Sequence, residues 1–142
     1  MVAARDDGLI GAIGLSSITV PHLRRAVEVT DIACIQNGYH PTDQLSQPVL
    51  EECMKRGIAF VSFAPLGSGN RGPGSALEAP AVRRVAVRLR CSPAQVALAW
   101  ALHAAPNILL IPGTASRMHL RENLDAGTLR LDPDAVRELS AP

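Results

Sequence analysis

Apolar residues along the chain gather into four short runs, each followed by a break and then by apolar positions at helical spacing. The runs are LIGAIGL at 9–15, IACIQ at 32–36, IAFVSFA at 58–64 and ILLI at 108–111. They are too short for helices and lack polar alternation, so they read as parallel strands covered on both faces. The segments between them carry helix signals. Residues 1–7 predict the last turn of a helix that Gly8 ends. Residues 20–29 predict a helix capped by Thr19 or Ser17, with Pro21 in its first turn and Leu23, Ala26 and Val27 on the inner face. Pro48 opens another to residue 56, burying Val49, Leu50, Cys53 and Met54, and Gly57 closes it. Further helices are expected at 80–89, at 92–105 with Ser92 as cap and Pro93 at its first position, at 117–126, and from the Asp132 cap to residue 139. Residues 37–41 form an irregular corner, and PLGSGNRGPG at 65–74 is a glycine- and proline-rich loop.

Strand followed by helix, four times over, predicts an α/β fold in which right-handed crossovers put every strand's C-terminal end on one side. Ser16, Ser17, Gln36, Asn37, residues 63–68 and residues 112–116 gather there, polar and glycine-rich although the strands are greasy. That side is where such folds bind ligands. The stretch NILLIPGTASRMHLREN at 107–123 is the most pointed case. Pro112 and Gly113 break the strand, Thr114 or Ser116 caps the next helix, and the free N–H groups at its start attract anions. Arg117, His119 and Arg121 add potential positive charge. This reads as a phosphate or nucleotide-phosphate site; the plain alternative is a βα turn with solvated arginines.

Composition narrows the classes. The 142 residues suffice for one domain with a real core, residues 1–142, and 47% apolar against 19% charged is globular. A net charge of +1 offers no footprint for nucleic acid or an anionic membrane, and 3% aromatics leaves no stacking platform for single strands. Cys34, Cys53 and Cys91 are widely spaced without a CxxC, so neither a disulfide framework nor a metal site is expected. The start, MVAARDDG, has no apolar signal-peptide run, and the greasy window 96–111 is broken by His103, Pro106 and Asn107. A cytoplasmic protein is expected.

The strand ends resemble those of the aldo-keto reductase family, in its C-terminal half. AIGLSS is similar to the family's fifth-strand Ile-Gly-x-Ser-Asn, IQNGYHP to its sixth-strand Gln-x-x-Tyr-Asn/His, and FVSFAPLGSG to its seventh-strand segment ending Pro-Leu-Gly-x-Gly. SPAQVALAWAL, IPGTAS and HLRENL resemble its closing phosphate and adenine segment. The resemblance runs from about Gly8 onward and implies half of a TIM (β/α)8 barrel, four parallel βα units. It implies that Ser16 and Gln36 hold a nicotinamide carboxamide, with Ser17 where the family usually has Asn. Phe63 would stack on the nicotinamide ring, and Leu66, Gly67, Ser68 and Gly69 would wrap the pyrophosphate. Thr114 and Ser116 would face a 2′-phosphate, His119 would lie near it or the adenine, and Glu122 and Asn123 would bond the adenine edge. The implied cofactor is NADP(H), although Gly113 and His119 replace basic residues found in some branches.

The family's catalytic Asp, Tyr, Lys and His belong to its first four strands. Tyr39 is the only tyrosine here and Lys55 the only lysine, and neither matches a catalytic position. Lys55 falls near a helix C-terminus, where it complements the dipole. Tyr39 reads as a packing residue with a wet hydroxyl, and Tyr39 with His40 is the only other catalytic candidate. Three functions stay open: an NADPH-dependent carbonyl reductase that reduces only when a first half is supplied, a non-catalytic ligand-binding module, and a repurposed non-redox enzyme for cyclisation, dehydration or isomerisation using Tyr39, His40 and Gln36. Four βα units leave open edges and a bare inner face, so a homodimer, the same edge meeting itself, or a complementary half-barrel chain is expected alongside a small-molecule ligand.

Overall fold

In a computed structural model the protein is described over residues 1–67 and 75–141. Four strands form one sheet in the order β1-β2-β3-β4: β1 (Gly14–Ser16), β2 (Cys34–Gly38), β3 (Ala59–Phe63) and β4 (Ile108–Leu110). All three pairings are parallel, so all four C-terminal ends point the same way. The described helices are α1 (Val2–Asp6), α2 (Val20–Val27), α3 (Gln47–Arg56), α4 (Pro80–Leu89), α5 (Pro93–Ala104), α6 (Arg117–Asp125) and α7 (Pro133–Ser140). Single 3₁₀ turns lie at Ala76–Glu78 and Ala126–Thr128. None of the described helices is long and apolar enough to cross a membrane.

The first strand is much shorter than expected. Residues 9–13 lead up to the sheet outside any strand, and β1 pairs only through Gly14, Leu15 and Ser16 with Cys34, Ile35 and Gln36. A chain at the sheet's edge has one neighbour to hold it, so its apolar lead-in need not stay in the ladder. β2 starts two residues later than expected and runs on through Gly38, which pairs with Phe63.

Only one face of the sheet is covered, as expected of four βα units standing alone, although the strand patterns by themselves read as covered on both faces. Leu23, Ile35, Leu50, Phe60, Val82, Val85 and Val96 pack without exposure, or nearly so, between that face and the helices. On the other face Gly14, Ser16, Leu109 and Ile111 are exposed, and Cys34, Gln36, Gly38, Ala59, Val61 and Phe63 are half-buried. Alternation is therefore present but hidden: successive residues point to opposite faces, yet both sets are apolar or small. Gly14 belongs where it is because a Cβ there would meet the Cys34 Sγ at 2.7 Å.

Helix ends follow their local chemistry. Ser92 accepts from the Gln95 amide at 3.2 Å while Gln95 returns a bond to the Ser92 amide, and Asp132 accepts from the Ala135 amide at 2.7 Å. Thr19, not Ser17, caps α2, with the His22 ring 3.1 Å from its hydroxyl. Ser17 instead bends the chain out of β1 in a left-handed conformation (φ 56°). Gly57 ends α3 at φ 68°, as expected, whereas Arg90 takes the equivalent position after α4 at φ 54°.

Tyr39 packs as expected, but its hydroxyl does not stay in water. It is 2% exposed, its ring stacked on Trp100 at 5.2 Å and edge-on to Phe60 at 6.1 Å, and its hydroxyl donates to Gln47 Oε1 at 2.5 Å. The hydroxyl is thus bonded inside the protein, not wet. Tyr39 follows Asn37 and Ile35 on the helix-covered face, which is why it enters the core.

Candidate functional site: a cleft at the strand ends

After β4 the chain turns at Pro112 and Gly113, and Ser116 caps α6 by accepting from the His119 amide at 3.3 Å. Thr114 accepts from the Ser116 amide at 3.1 Å and so holds the turn one residue earlier. Both proposed capping hydroxyls are used, each at its own position. Their oxygens are engaged by backbone, so each hydroxyl hydrogen is left to donate outward. The amides of Arg117 and Met118 have no intrahelical partner and point out of the same helix end. Together these donors can bind an anion.

This helix end opens into a cleft of about 690 Å³. Its walls bring together Thr114, Ser116, His119, Glu122 and Asn123 from one segment and Leu66 from another nearly fifty residues earlier. Six of the thirteen residues expected to hold a cofactor therefore share one cavity. Gly67 is buried beside Leu66 at φ 87°, and its amide donates to the Ala64 carbonyl at 2.9 Å, closing a tight turn. Ser68 and Gly69 lie outside the described residues.

The cleft also has walls that the sequence pattern did not single out. Leu77 and Glu78 come from the 3₁₀ turn, Arg83 from α4, and Ser92, Pro93 and Ala94 from the start of α5. Ser92-Pro93 was legible only as a cap. Nothing in the local spacing of α4 indicates that its first turn faces the end of β4. Arg117 and Arg121, expected at the anion site, are exposed and do not line the cleft. Arg117 directly follows the Ser116 cap and Arg121 is one turn further on, so both project from a side of α6 away from the cleft. Among the described residues Arg83 is the arginine that does line it, paired with the Glu78 carboxylate and with its Nε 3.5 Å from the Leu77 carbonyl.

The remaining expected residues sit on the bare face of the sheet. Ser16 pairs in register with Gln36, and both point away from the helices. Ser17 donates its amide to the Gln36 carbonyl at 2.9 Å, and its hydroxyl is 3.4 Å from that of Ser16. Phe63 lies on the same face over Gly38, where its ring edge would be 3.5 Å from an added Cβ. The bare face thus carries a polar strip beside an aromatic ring, where the Gln36 side-chain amide can form hydrogen bonds and Phe63 can stack.

Tyr39 and His40 do not form the catalytic pair considered above. His40 is 7% exposed and its Nδ1 is 3.0 Å from the Thr42 hydroxyl, whereas the Tyr39 hydroxyl bonds Gln47. Burial, helped by the nearby Glu51 charge, pushes the Tyr39 hydroxyl up to about 12. Burial lowers the His40 pKa against the opposing pull of Asp43. A phenol so reluctant to release its proton, already bonded in the core, is built for packing. Among the described residues no group of His, Cys, Asp and Glu is placed to hold a metal ion.

Comparison with known proteins agrees with this geometry. The family model described as the aldo/keto reductase family matches residues 1–141. The chain is 38% identical over 135 residues to a pyridoxine 4-dehydrogenase of Escherichia coli K12, an alignment covering 95% of this chain and 46% of that protein. It is 30% identical to a methylglyoxal reductase of Escherichia coli O157:H7, covering 99% of this chain and 51% of that one. A thermostable aldo-keto reductase solved with the inhibitor epalrestat superposes with a TM-score of 0.87 at 29% identity, over 99% of this chain and 51% of its own. The chain thus spans about half the length of the relatives it matches, and its four parallel βα units are half of the TIM barrel that the resemblance implied. It belongs to the aldo/keto reductase family.

Proposed function

We propose that this chain is the nucleotide-binding half of an NADP(H)-dependent oxidoreductase that reduces carbonyl compounds when a first half-barrel is supplied. The observation that carries the reading is the cleft, where Leu66, Thr114, Ser116, His119, Glu122 and Asn123 converge from distant segments. The adenosine and its phosphate would lie at the capped start of α6, with Glu122 and Asn123 toward the adenine edge. The nicotinamide would reach the bare sheet face, its carboxamide on Ser16 and Gln36 and its ring on Phe63. When bound, the cofactor supplies the hydride. What these residues do is orient it, hydrogen-bond its phosphate and hold its ring in one plane. Proton delivery is no part of this chain's task, because Tyr39 is sequestered in the core. That same burial removes the reason for a non-redox reading built on Tyr39 and His40.

Fluorescence titration of NADPH tests the proposal. We expect saturable enhancement with a dissociation constant in the micromolar range, and no turnover of aldehydes by the chain alone. Absence of binding at high micromolar NADPH would reduce the cleft to an inheritance without a ligand.

A further inference from the structure

We infer that Arg83 is the residue that selects a 2′-phosphorylated nucleotide, and that Glu78 sets how strongly it does so. The inference rests on the nucleotide reading of the cleft and adds a residue to it. The arginines of the β4–α6 segment do not serve, because Arg117 and Arg121 do not line the cleft, and Gly113 has no side chain to offer. The hydroxyls of Thr114 and Ser116 and the helix amides can bind an anion but carry no full charge. Arg83 comes from a different element, the first turn of α4, and lines the same cavity.

Its partner makes the site tunable. The guanidinium is held by Glu78, and both side chains are about half exposed, so neither is locked in the core. A guanidinium offers five N–H donors in a planar fork, enough to keep one bond to Glu78 while turning others to phosphate oxygens. With no 2′-phosphate present, the Glu78 carboxylate beside Arg83 can accept a ribose hydroxyl, as acidic residues do in NAD sites. One ion pair thus offers a cation to NADPH and a carboxylate to NADH.

The test is titration of the full-length chain with NADPH and with NADH, comparing the unchanged protein with R83Q, E78Q and a double variant of Arg117→Gln and Arg121→Gln. Because Arg83 is half exposed, its contact with phosphate belongs at the low end for charged hydrogen bonds, so R83Q should weaken NADPH about tenfold. NADH should change less than about twofold in R83Q, and the salt dependence of NADPH binding should flatten. E78Q should tighten NADPH and weaken NADH. The double variant should leave the preference where it was. If NADPH binds the unchanged protein and R83Q binds it equally well, Arg83 has no such role while the nucleotide reading stands. If the preference moves with Arg117 and Arg121 instead, the assignment of the cation is wrong. If neither nucleotide binds the unchanged protein, the cleft reading and this inference fall together. Circular dichroism melts of each variant separate lost folding from lost contact.

Discussion

A histidine held neutral by its surroundings is a pH-dependent liability, and His40 is one. Burial lowers its pKa below the ordinary value of about 6.5, the Asp43 charge opposing, while in the unfolded chain it titrates normally. Its contribution is therefore complete above about pH 6.5 and is lost as pH falls from there toward the folded value, because the unfolded chain takes up the proton first. Glu52 and Glu138, held low by hydrogen bonds from Arg24 and Arg56 and from Arg84, lose their contributions only below the ordinary carboxylate range. Thermal melts at pH 7.5 and 5.5 should thus show a drop that H40Q, keeping a partner for Thr42, makes smaller. An equal drop in both proteins would assign the acid limb to something else. At Arg90 the strain is in the backbone instead. A left-handed φ of 54° at the end of α4 costs an L-residue roughly 1 kcal/mol that glycine does not feel. R90G gives some of that back as unfolded-state entropy, so a net gain of about 0.5 kcal/mol is expected from urea midpoints.

At the level of elements, Asn37 fastens β1's exit to β2. Its side chain accepts from the Ile18 amide at 3.1 Å and donates to the Ile18 carbonyl at 2.8 Å and to the Ser46 hydroxyl at 3.3 Å. It is 6% exposed, so N37A strips both half-buried Ile18 backbone groups of their partner, at a cost of about 2 kcal/mol. The loop that carries Ser16 and Ser17 should loosen with it, and NADPH affinity should fall although Asn37 faces away from the ligand. A stability loss below about 1 kcal/mol would mean that water replaces the amide. The sequence made Asn37 visible as a polar residue at a strand end but not its direction, since β2's apolar residues occupy both faces. The same blindness left the Tyr39 hydroxyl expected in water although its packing role was legible. By contrast, the start of α6 was readable in detail, because its chemistry is local: a broken strand, hydroxyls and a helix within ten residues. Arg83 could not be read that way, as its neighbourhood exists only after α4 and β4 meet.

For the whole molecule the decisive facts are two open edges and one bare face. Among the described residues β1 and β4 each have a single neighbour, and beside β4 an almost wholly apolar hollow of about 400 Å³ runs between Leu102, Ile111, Leu120 and Leu124. Such surface is paired or it aggregates. A twofold in which one edge meets its own copy would run antiparallel and leave the other edge open. Joining β4 to a partner's β1 about an axis along the barrel keeps every strand parallel and closes both. Packing then decides between partners. A closed barrel interior is filled by layers of bulky side chains, yet this face offers Gly14, Ser16, Gly38 and Ala59 among its inward residues. Two copies would leave voids there, and each missing methyl-sized volume costs about 1 kcal/mol. A complementary half-barrel with larger inward side chains fits better. We therefore expect the chain alone to self-associate and to bind the apolar dye ANS. Co-expressed with the four-strand first half of a full-length relative, it should form a 1:1 complex with a sharper, higher melt. Light scattering on the size-excluded protein decides the matter: a monodisperse, dye-silent monomer at micromolar concentration, indifferent to the added half, would mean that the bare face needs no cover.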